Sequence, residues 1–261
     1  MLQNDTGSAL VYAVFILVLF REGLTGNILL VGITIAILFV ITLLMNKLYI
    51  IAILVFLAGL MFYFMKRNRS NILTLIAMLV LAIGFVYSVD YAFENVLETH
   101  QKKRINVLLG KEHDLRGAGY NVHQSKIAIG SGGFFGKGFL QGTQTKYDFV
   151  PEQDTDFIFC TIGEEWGYIG SLVLIILFIT FLIRLIRLAE RQRSDFSRIY
   201  GYGVASIIFF HFMVNIGMTI GLLPVIGIPL PFISYGGSSL WAFTILLFIF
   251  IRQDASRIEL L

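Results

Sequence analysis

The chain has 261 residues, of which 57% are hydrophobic and only 14% are charged, whereas soluble domains carry about 25% charged residues. The hydrophobic residues are gathered in long runs that must face lipid as well as a core, which excludes a water-soluble globular enzyme. A net charge of +3 without basic blocks interleaved with aromatics argues against nucleic acid as a partner. The single cysteine, Cys160, excludes an intrachain disulfide. Composition therefore predicts an all-α polytopic membrane protein.

Seven apolar runs predict about seven transmembrane helices. Most come close to the ~20 residues that a helix needs to cross the hydrocarbon layer, and the first is short unless Gly7 and Ser8 are included. Four lie within residues 8–89 and three within 157–251. The seven runs are Ala9–Phe20, Ile28–Met45, Leu48–Met65, Asn71–Val89, Phe157–Ile183, Tyr200–Leu223 and Ile233–Ile251. We expect one membrane domain over 1–261, with a large loop at 90–156, a Pro-rich turn at 223–232 and a tail at 252–261.

Basic residues collect in short segments that alternation of the helices places on one side of the membrane. They are Arg21, Lys66, Arg67, Arg69, Arg184, Arg187, Arg191, Arg193, Arg198, Arg252 and Arg257. Because Lys and Arg mark cytoplasmic loops, we expect that side to be cytoplasmic and the 90–156 loop to face the periplasm or exterior.

The glycine-rich stretch Gly130–Gly138 could bind a phosphate through its backbone N–H groups, with Lys126, Lys137 and Lys146 nearby as counter-charges. It matches neither the P-loop nor the dinucleotide-binding pattern. A plain turn between interfacial helices would use the same residues, and both interpretations stay open at this point.

The segment Pro151–Phe157 places three carboxylates where the long loop meets an apolar run. A carboxylate at the mouth of a helix bundle, partly stripped of water, can act as a general base, and we expect this of Asp156. The alternative is that such residues cap the helix, and Asp154 or Thr155 is the expected cap. The two interpretations are compatible.

Four polar residues within the apolar runs are expected to be structural. Glu164 and Glu165 follow the acidic segment and suit pairing between helices. His211 and Asn215 are spaced i, i+4, which suits a polar seam between helices rather than a metal site. The turn Leu223–Pro231 holds three of the four prolines, so it must be non-helical and buried against protein.

Five ordered motifs lie at Gln124–Gly133, Pro151–Phe159, Ile162–Glu165, Asn215–Pro224 and Pro229–Ser239. They resemble the signatures of the SEDS family (shape, elongation, division and sporulation) and are closest to its RodA members. The segment Gln3–Gly7 is similar to the family's Q-x-D-x-G element.

The resemblance implies a peptidoglycan glycosyltransferase that polymerises lipid II during cell-wall elongation and cell-shape maintenance, on the outer face of the bacterial cytoplasmic membrane. The essential aspartate of the family's T-D-F motif corresponds to Asp156, and Asp5 corresponds to that of Q-x-D-x-G. Asp154 stands where the family usually has His, so Asp154 and Asp156 could titrate as a pair. Family chains have about ten spanning helices, so the resemblance also implies that the earlier helices are absent here.

Combining the motifs with the resemblance, we expect Asp156 and Asp5 to be catalytic and a further set of residues to contact substrate. That set is Arg104, Gln124, Ser125, Lys126, Ser131, Gly132, Gly133, Lys137, Glu152, Asp154, Thr155, Ser234, Tyr235, Gly236 and Gly237. The resemblance further implies a divalent cation such as Mg or Mn, a class B penicillin-binding protein and rod-complex proteins as partners. The alternatives are a lipid II flippase, with Glu164, Glu165 and His211 as relay residues, and an inactive scaffold.

Overall fold

The computed structural model describes residues 6–65, 68–95, 97, 99–108 and 118–256, and all the regular structure in them is α-helical. The helices are α1 Thr6–Ala13, α2 Phe15–Arg21, α3 Gly26–Leu44, α4 Lys47–Phe64, α5 Arg69–Asn95, α6 Thr99–Leu108, α7 Ala118–Gly132, α8 Thr143–Lys146, α9 Ile158–Glu190, α10 Asp195–Thr219 and α11 Gly237–Ser256.

Six of these helices, α3, α4, α5, α9, α10 and α11, are long and apolar enough to cross a membrane. The prediction of an all-α polytopic membrane protein is thereby confirmed. The first apolar run forms a shorter apolar stretch, Leu10–Arg21, divided between α1 and α2. The count of seven spanning helices stays a prediction.

Several helix boundaries differ from the apolar runs. Helix α9 continues beyond Ile183 to Glu190 and carries Arg184 and Arg187 in its last turns, because long Arg side chains can keep their charged ends in water. Helix α11 begins only at Gly237, since Phe232 has a left-handed φ of +65°, which is incompatible with a right-handed helical turn directly after the prolines. The 90–156 interval is itself partly helical, with α6, α7 and α8 inside it.

One compact unit covers residues 25–103 and contains α3, α4 and α5. Few of its described side chains are buried, and the buried apolar ones are Ile50, Val86 and Val89. The Nζ of Lys47 donates to the carboxylate of Asp90 at 2.7 Å, which ties the start of α4 to α5. Most other apolar side chains of this unit are exposed, as expected for surfaces that face lipid.

The other unit covers residues 1–24 and 104–261, and its core lies between α9 and α10. Phe178 and Phe212 stack across this pair with ring centroids 4.6 Å apart. Helices α9 and α10 are antiparallel, because only residues 191–194 connect them. The start of α9 and the end of α10 therefore lie at one end of this unit, which we call the loop end.

At the opposite end, ion pairs join four helices; we call it the basic end. Arg21 of α2 donates to Glu190 of α9 at 3.1 Å, and Arg198 of α10 donates to Glu22 at 2.8 Å. Arg191 pairs with Asp254 of α11. Arg21 and Glu190 are about half exposed, so this pair is worth little to stability.

Candidate functional site at the loop end

At the loop end, three consecutive backbone carbonyls of the segment 151–157, the acidic turn, accept hydrogen bonds. Tyr235 donates its N–H to the carbonyl of Asp154 at 2.8 Å. Ser234 Oγ donates to that of Thr155 at 2.6 Å, and Asn215 Nδ2 donates to that of Asp156 at 2.8 Å. The backbone beside Asp156 is thus fixed from α10 and from the segment 220–236, the proline loop.

Asn215 and Ser234 hold the proline loop as well as the acidic turn. Asn215 is completely buried, and its Nδ2 also donates to the carbonyl of Ile228 at 2.8 Å. Ser234 Oγ accepts the N–H of Leu230 at 2.7 Å. A buried carbonyl left without a donor is costly, so these two side chains fix one segment relative to the other.

The side chain of Asp156 is half-buried and lies next to Gly227 of the proline loop. A Cβ on Gly227 would stand 3.2 Å from Asp156 Oδ2, and Gly227 has a φ of +82°. Both the close approach and the left-handed backbone favour glycine at this position. The proline loop therefore approaches the carboxylate with its backbone.

Helix α9 begins at Ile158 with Phe157 as its N-cap residue, and the Phe157 side chain makes no capping hydrogen bond. The prediction that Asp154 or Thr155 caps this helix is therefore wrong. Thr155 Oγ1 donates instead to Glu152 Oε2 at 3.0 Å, a bond within the acidic turn. The Glu152 carboxylate thus bonds within the turn.

Strained backbone concentrates in the same region. Among the described residues, the non-glycine residues with left-handed φ are Leu140, Asp148, Glu152 and Phe232, at +55° to +65°. All four lie in the loop that precedes α9 or in the proline loop. Such conformations cost of order 1–3 kcal/mol each and cluster at functional sites, where the surrounding structure enforces them.

The glycine-rich stretch packs into a break in α9. Gly167 has a φ of +64°, which interrupts the helix. The amides of Lys137 and Gly138 donate to the carbonyls of Glu164 and Glu165 at 3.0 and 2.9 Å, and Tyr168 donates to Gly133 at 2.9 Å. These bonds satisfy backbone groups that the break removes from the helix ladder. The amides of Lys137 and Gly138 are therefore not available to bind a phosphate.

Lys137 is likewise engaged inside the protein. Its Nζ donates to Glu164 Oε1 at 2.7 Å and to Ser131 Oγ at 2.8 Å. Gly132 packs so closely on α9 that a Cβ there would stand 2.1 Å from the carbonyl oxygen of Gly163. Lys137 and Gly132 thus hold the stretch against α9, and substrate contact by these residues stays a prediction.

The other predicted substrate residues on α7 lie near the end of α10. Ser125 is buried and donates its Oγ to the carbonyl of Thr219 at 2.9 Å. Lys126 is exposed, and its Nζ would lie 2.5 Å from a Cβ on Gly221. Gln124 is half-buried on the same helix. Lys126 therefore presents its charge beside the proline loop.

The remaining predicted residues differ in exposure. Asp154, Glu152 and Gly237 are exposed, Tyr235 is 80% exposed, and Thr155 and Gly236 are half-buried. Gly133 and Ser131 are exposed beside α9. Asp5 and the side chain of Arg104 lie outside the described part of the chain, so their predicted roles are not placed.

An apolar groove of about 350 Å³ runs between α7, α9 and α10 next to the glycine-rich stretch. Its lining includes Gly130, Phe159, Ile175 and Ile216. Phe159 and Ile216 are near neighbours in sequence of Asp156 and Asn215. The groove therefore starts close to the acidic turn.

Three structural contributions of this region are not evident from sequence. Asn215 was paired with His211 as a helix seam, but His211 only bonds the carbonyl of Ile207 in its own helix. Gly227 carries no motif of its own, and the contacts of Glu164 depend on a loop some 20 residues earlier in the chain. The available signals for these two residues are that Asn215 opens the motif Asn215–Pro224 and that Gly227 lies in the Pro-rich turn.

No three His, Cys, Asp or Glu side chains come together as metal ligands among the residues that the structure describes. The side chains of the acidic turn thus do not form a complete cation site by themselves. Magnesium commonly uses one or two carboxylates plus substrate phosphates, so a divalent cation stays a prediction.

The fold and this site define a polytopic α-helical membrane protein with a structured loop packed on its bundle. The model of the FtsW/RodA/SpoVE family, described as a cell cycle protein family, matches residues 1–258. The chain belongs to this family, which confirms the resemblance drawn from the motifs.

Curated relatives with similar sequences are named as glycosyltransferases. The peptidoglycan glycosyltransferase MrdB of Escherichia coli (strain K12) is 42% identical over 189 residues, which cover 72% of this chain and 50% of that protein. The peptidoglycan glycosyltransferase RodA of Treponema pallidum (strain Nichols) is 36% identical over 69% of this chain and 45% of its own length. The chain spans about half the length of these relatives.

A solved structure shares the fold. It is described as "Structural coordination of polymerization and crosslinking by a peptidoglycan synthase complex" and superposes with a TM-score of 0.55 at 26% identity. The match covers 77% of this chain and 59% of the solved chain.

Proposed function

We propose that the chain is a peptidoglycan glycosyltransferase that polymerises lipid II into glycan strands. The observation that carries the proposal is the fixed position of Asp156. Three consecutive carbonyls at 154–156 accept hydrogen bonds from Tyr235, Ser234 and Asn215, and the carboxylate lies against Gly227. A carboxylate held in this way suits a base that must meet a sugar hydroxyl in one orientation.

In the proposed reaction, Asp156 takes the proton of the 4-hydroxyl of the acceptor sugar. That oxygen attacks the anomeric carbon of the donor, the bond from this carbon to the pyrophosphate oxygen breaks, and undecaprenyl pyrophosphate leaves with inversion. General-base catalysis contributes typically ~10² to 10⁴ in rate. Positive charge at the leaving group contributes more, and Lys126 beside Gly221 is the described candidate.

The apolar groove between α7, α9 and α10 suits part of a polyprenyl tail, because it is lined mostly by apolar side chains such as Ile175 and Ile216. The headgroup of the same lipid would then lie toward the acidic turn. Substrate contacts by Glu152, Asp154 and Tyr235 fit this arrangement, since all three side chains are exposed.

We further propose that the protein lies in the bacterial inner (cytoplasmic) membrane, with the 90–156 loop on the periplasmic or outer face. A class B penicillin-binding protein and rod-complex proteins are the proposed partners, and a divalent cation is proposed for the pyrophosphate. The synthase complex that contains a similar fold supports a penicillin-binding protein as partner, whereas the rod-complex proteins and the cation rest on the family resemblance.

The rival function is a lipid II flippase that uses Glu164, Glu165 and His211 as a polar relay. Glu164 is bonded to Lys137 and to the loop before α9, and His211 packs edge-on against Phe243 with its Nδ1 on a helix carbonyl. These contacts favour structural duties over a relay. A non-catalytic scaffold is the second rival.

Purified protein in liposomes with fluorescent lipid II separates the three functions. A polymerase yields glycan strands, a flippase moves lipid II to the other leaflet without polymer, and a scaffold does neither. Because the relatives are about twice as long, the assay should be run on this chain and, in parallel, on a full-length relative. Transport without polymer in both cases would overturn the proposal.

A further inference from the structure

Glu164 is the most heavily bonded side chain at the loop end. It is completely buried, and Oε1 accepts from Lys137 Nζ at 2.7 Å and from the amides of Thr143 and Gln144 at 2.8 and 2.9 Å. Oε2 accepts from both the N–H and the Oγ1 of Thr145 at 2.9 Å. A carboxylate with this many donors fixes the segment that supplies them.

The segment fixed by Glu164 is α8, Thr143–Lys146, which contacts the acidic turn in its own right. The carbonyl of Thr145 accepts from Gln153 Nε2 at 2.8 Å, and Gln153 belongs to the acidic turn. A continuous path thus leads from Glu164 through Thr145 to Gln153, three residues before Asp156.

The amide of Gln153 can take only one orientation. Its Nε2 also donates to Asp148 Oδ1 at 2.7 Å, so a flipped amide would place its oxygen against two acceptors. The Oε1 of Gln153 is buried and has no hydrogen-bond partner. An unpartnered buried oxygen is costly. That the Gln153 amide keeps this orientation indicates that the two bonds of its Nε2 outweigh the cost.

On the basis of the proposed function, we infer that Glu164 and Gln153 are positioning residues for Asp156, acting through Thr145. Glu164 holds α8 against α9, and Thr145 carries that constraint to Gln153. Gln153 thereby fixes the acidic turn through contacts separate from those of Asn215 and Ser234. Neither residue takes part in the chemical step. Replacing Glu164 or Gln153 changes where the Asp156 carboxylate lies, and Asp156 remains the base.

Glu165 supplies a matched control. It follows Glu164 in sequence and is also buried, at 8% exposure. Its carboxylate accepts a hydrogen bond from the backbone of Leu140, which lies outside α8 and the acidic turn, and its charge repels that of Glu164. Removing its charge therefore relieves this repulsion but breaks none of the hydrogen bonds along the path to Asp156.

The first test is hydrogen exchange of the peptide 150–157 in the whole chain in lipid nanodiscs. Its amides at Thr155 and Phe157 both donate to the carbonyl of Glu152, so they report on the turn. Glu164→Gln and Gln153→Leu are expected to speed exchange there by about tenfold, roughly the effect of one lost hydrogen bond, and Glu165→Gln by less than twofold. Unchanged exchange in Glu164→Gln would overturn the inference. This readout needs no activity, so failure of the proposed function would appear separately, as a lack of polymer.

The second test is a double-mutant cycle on polymerisation, because Glu164 and Gln153 act along one path without direct contact. Each single change is expected to lower kcat at least tenfold with KM within twofold, and the double variant no further than the worse single. If the kcat losses of the two single variants multiply in the double variant, the inference is overturned, because independent structural damage predicts such multiplication. Should Glu164→Gln fail to fold, Thr145→Val, which removes only the Oγ1 bond, replaces it in both tests.

Discussion

The two ends of the unit formed by residues 1–24 and 104–261 are held together by different interactions. At the loop end, buried side chains such as Glu164, Asn215 and Ser234 bond backbone groups of other segments. At the basic end, side chains bond other side chains, as in the pairs Arg21–Glu190 and Arg198–Glu22, which are partly exposed.

The two kinds of interaction have different effects: one fixes the path of the backbone, and the other joins helices without fixing it. A side chain that bonds backbone carbonyls fixes where the chain runs, and buried bonds resist competition by water. Exposed ion pairs between long side chains hold helices together loosely and are screened by salt. We conclude that the interactions at the loop end fix the position of its backbone, whereas those at the basic end hold the helices together. Three variants test this contrast.

The largest effect is expected from Asn215→Ala. The carbonyls of Asp156 and Ile228 both lose a buried donor, which should lower the unfolding free energy by about 2–4 kcal/mol. Thermal unfolding in detergent, with hydrogen exchange of 153–157, measures this. His211→Phe, one turn earlier on α10, loses a hydrogen bond within its own helix and retains an aromatic ring beside Phe243. Equal damage from both variants would contradict the contrast.

An intermediate effect is expected from Gly227→Ala. The φ of +82° adds strain of about 1–2 kcal/mol, and the new Cβ meets Asp156 Oδ2. We expect polymerisation to fall at least about tenfold, because small displacements of a base are costly. Gly23→Ala, where φ is +112° and no atom lies within 4 Å, is the control for strain alone. Full activity of Gly227→Ala would show that the carboxylate need not stay where it is.

The smallest effect is expected from Glu22→Gln at the basic end. A hydrogen bond from Arg198 lowers the pKa of the Glu22 carboxyl below its ordinary value of 4.5. A lowered pKa stabilises the fold above pH 4.5, and that contribution disappears as the pH falls through the lowered value. The gap in melting temperature between the wild type and the variant should therefore be small at pH 7, disappear as the pH falls through the lowered pKa of Glu22, and shrink at high salt. A gap that grows on acidification would refute this assignment.

The sequence was sufficient for the parts of this protein that depend on local pattern. Apolar runs of spanning length predict helices wherever they occur, and three prolines between Leu223 and Phe232 predict the break before α11. The acidic turn was recognisable because charge next to an apolar run is costly unless it has a purpose.

What the sequence did not reveal depends on contacts between distant segments. The expected pairing of Glu164 between helices agrees with its bonds to Ser131 of α7 and Thr145 of α8. Its bond to Lys137 is not evident from the sequence, because it depends on the break at Gly167, which admits the glycine-rich stretch into α9. Gly130–Gly138 was open to a phosphate-binding interpretation for the same reason. Glycines that pack a backbone closely against a helix can have the same sequence spacing as glycines whose amides bind a phosphate. Only the three-dimensional structure distinguishes the two cases.

The most direct test of the account compares Asp156→Asn with Asp154→Asn in polymerisation of purified lipid II. The two carboxylates are two residues apart in one turn, and both variants keep the backbone bonds that hold it. We predict that Asp156→Asn yields no polymer while expression and melting temperature stay normal, and that Asp154→Asn keeps measurable activity. Glycan strands of normal length from Asp156→Asn would contradict the assignment of the base.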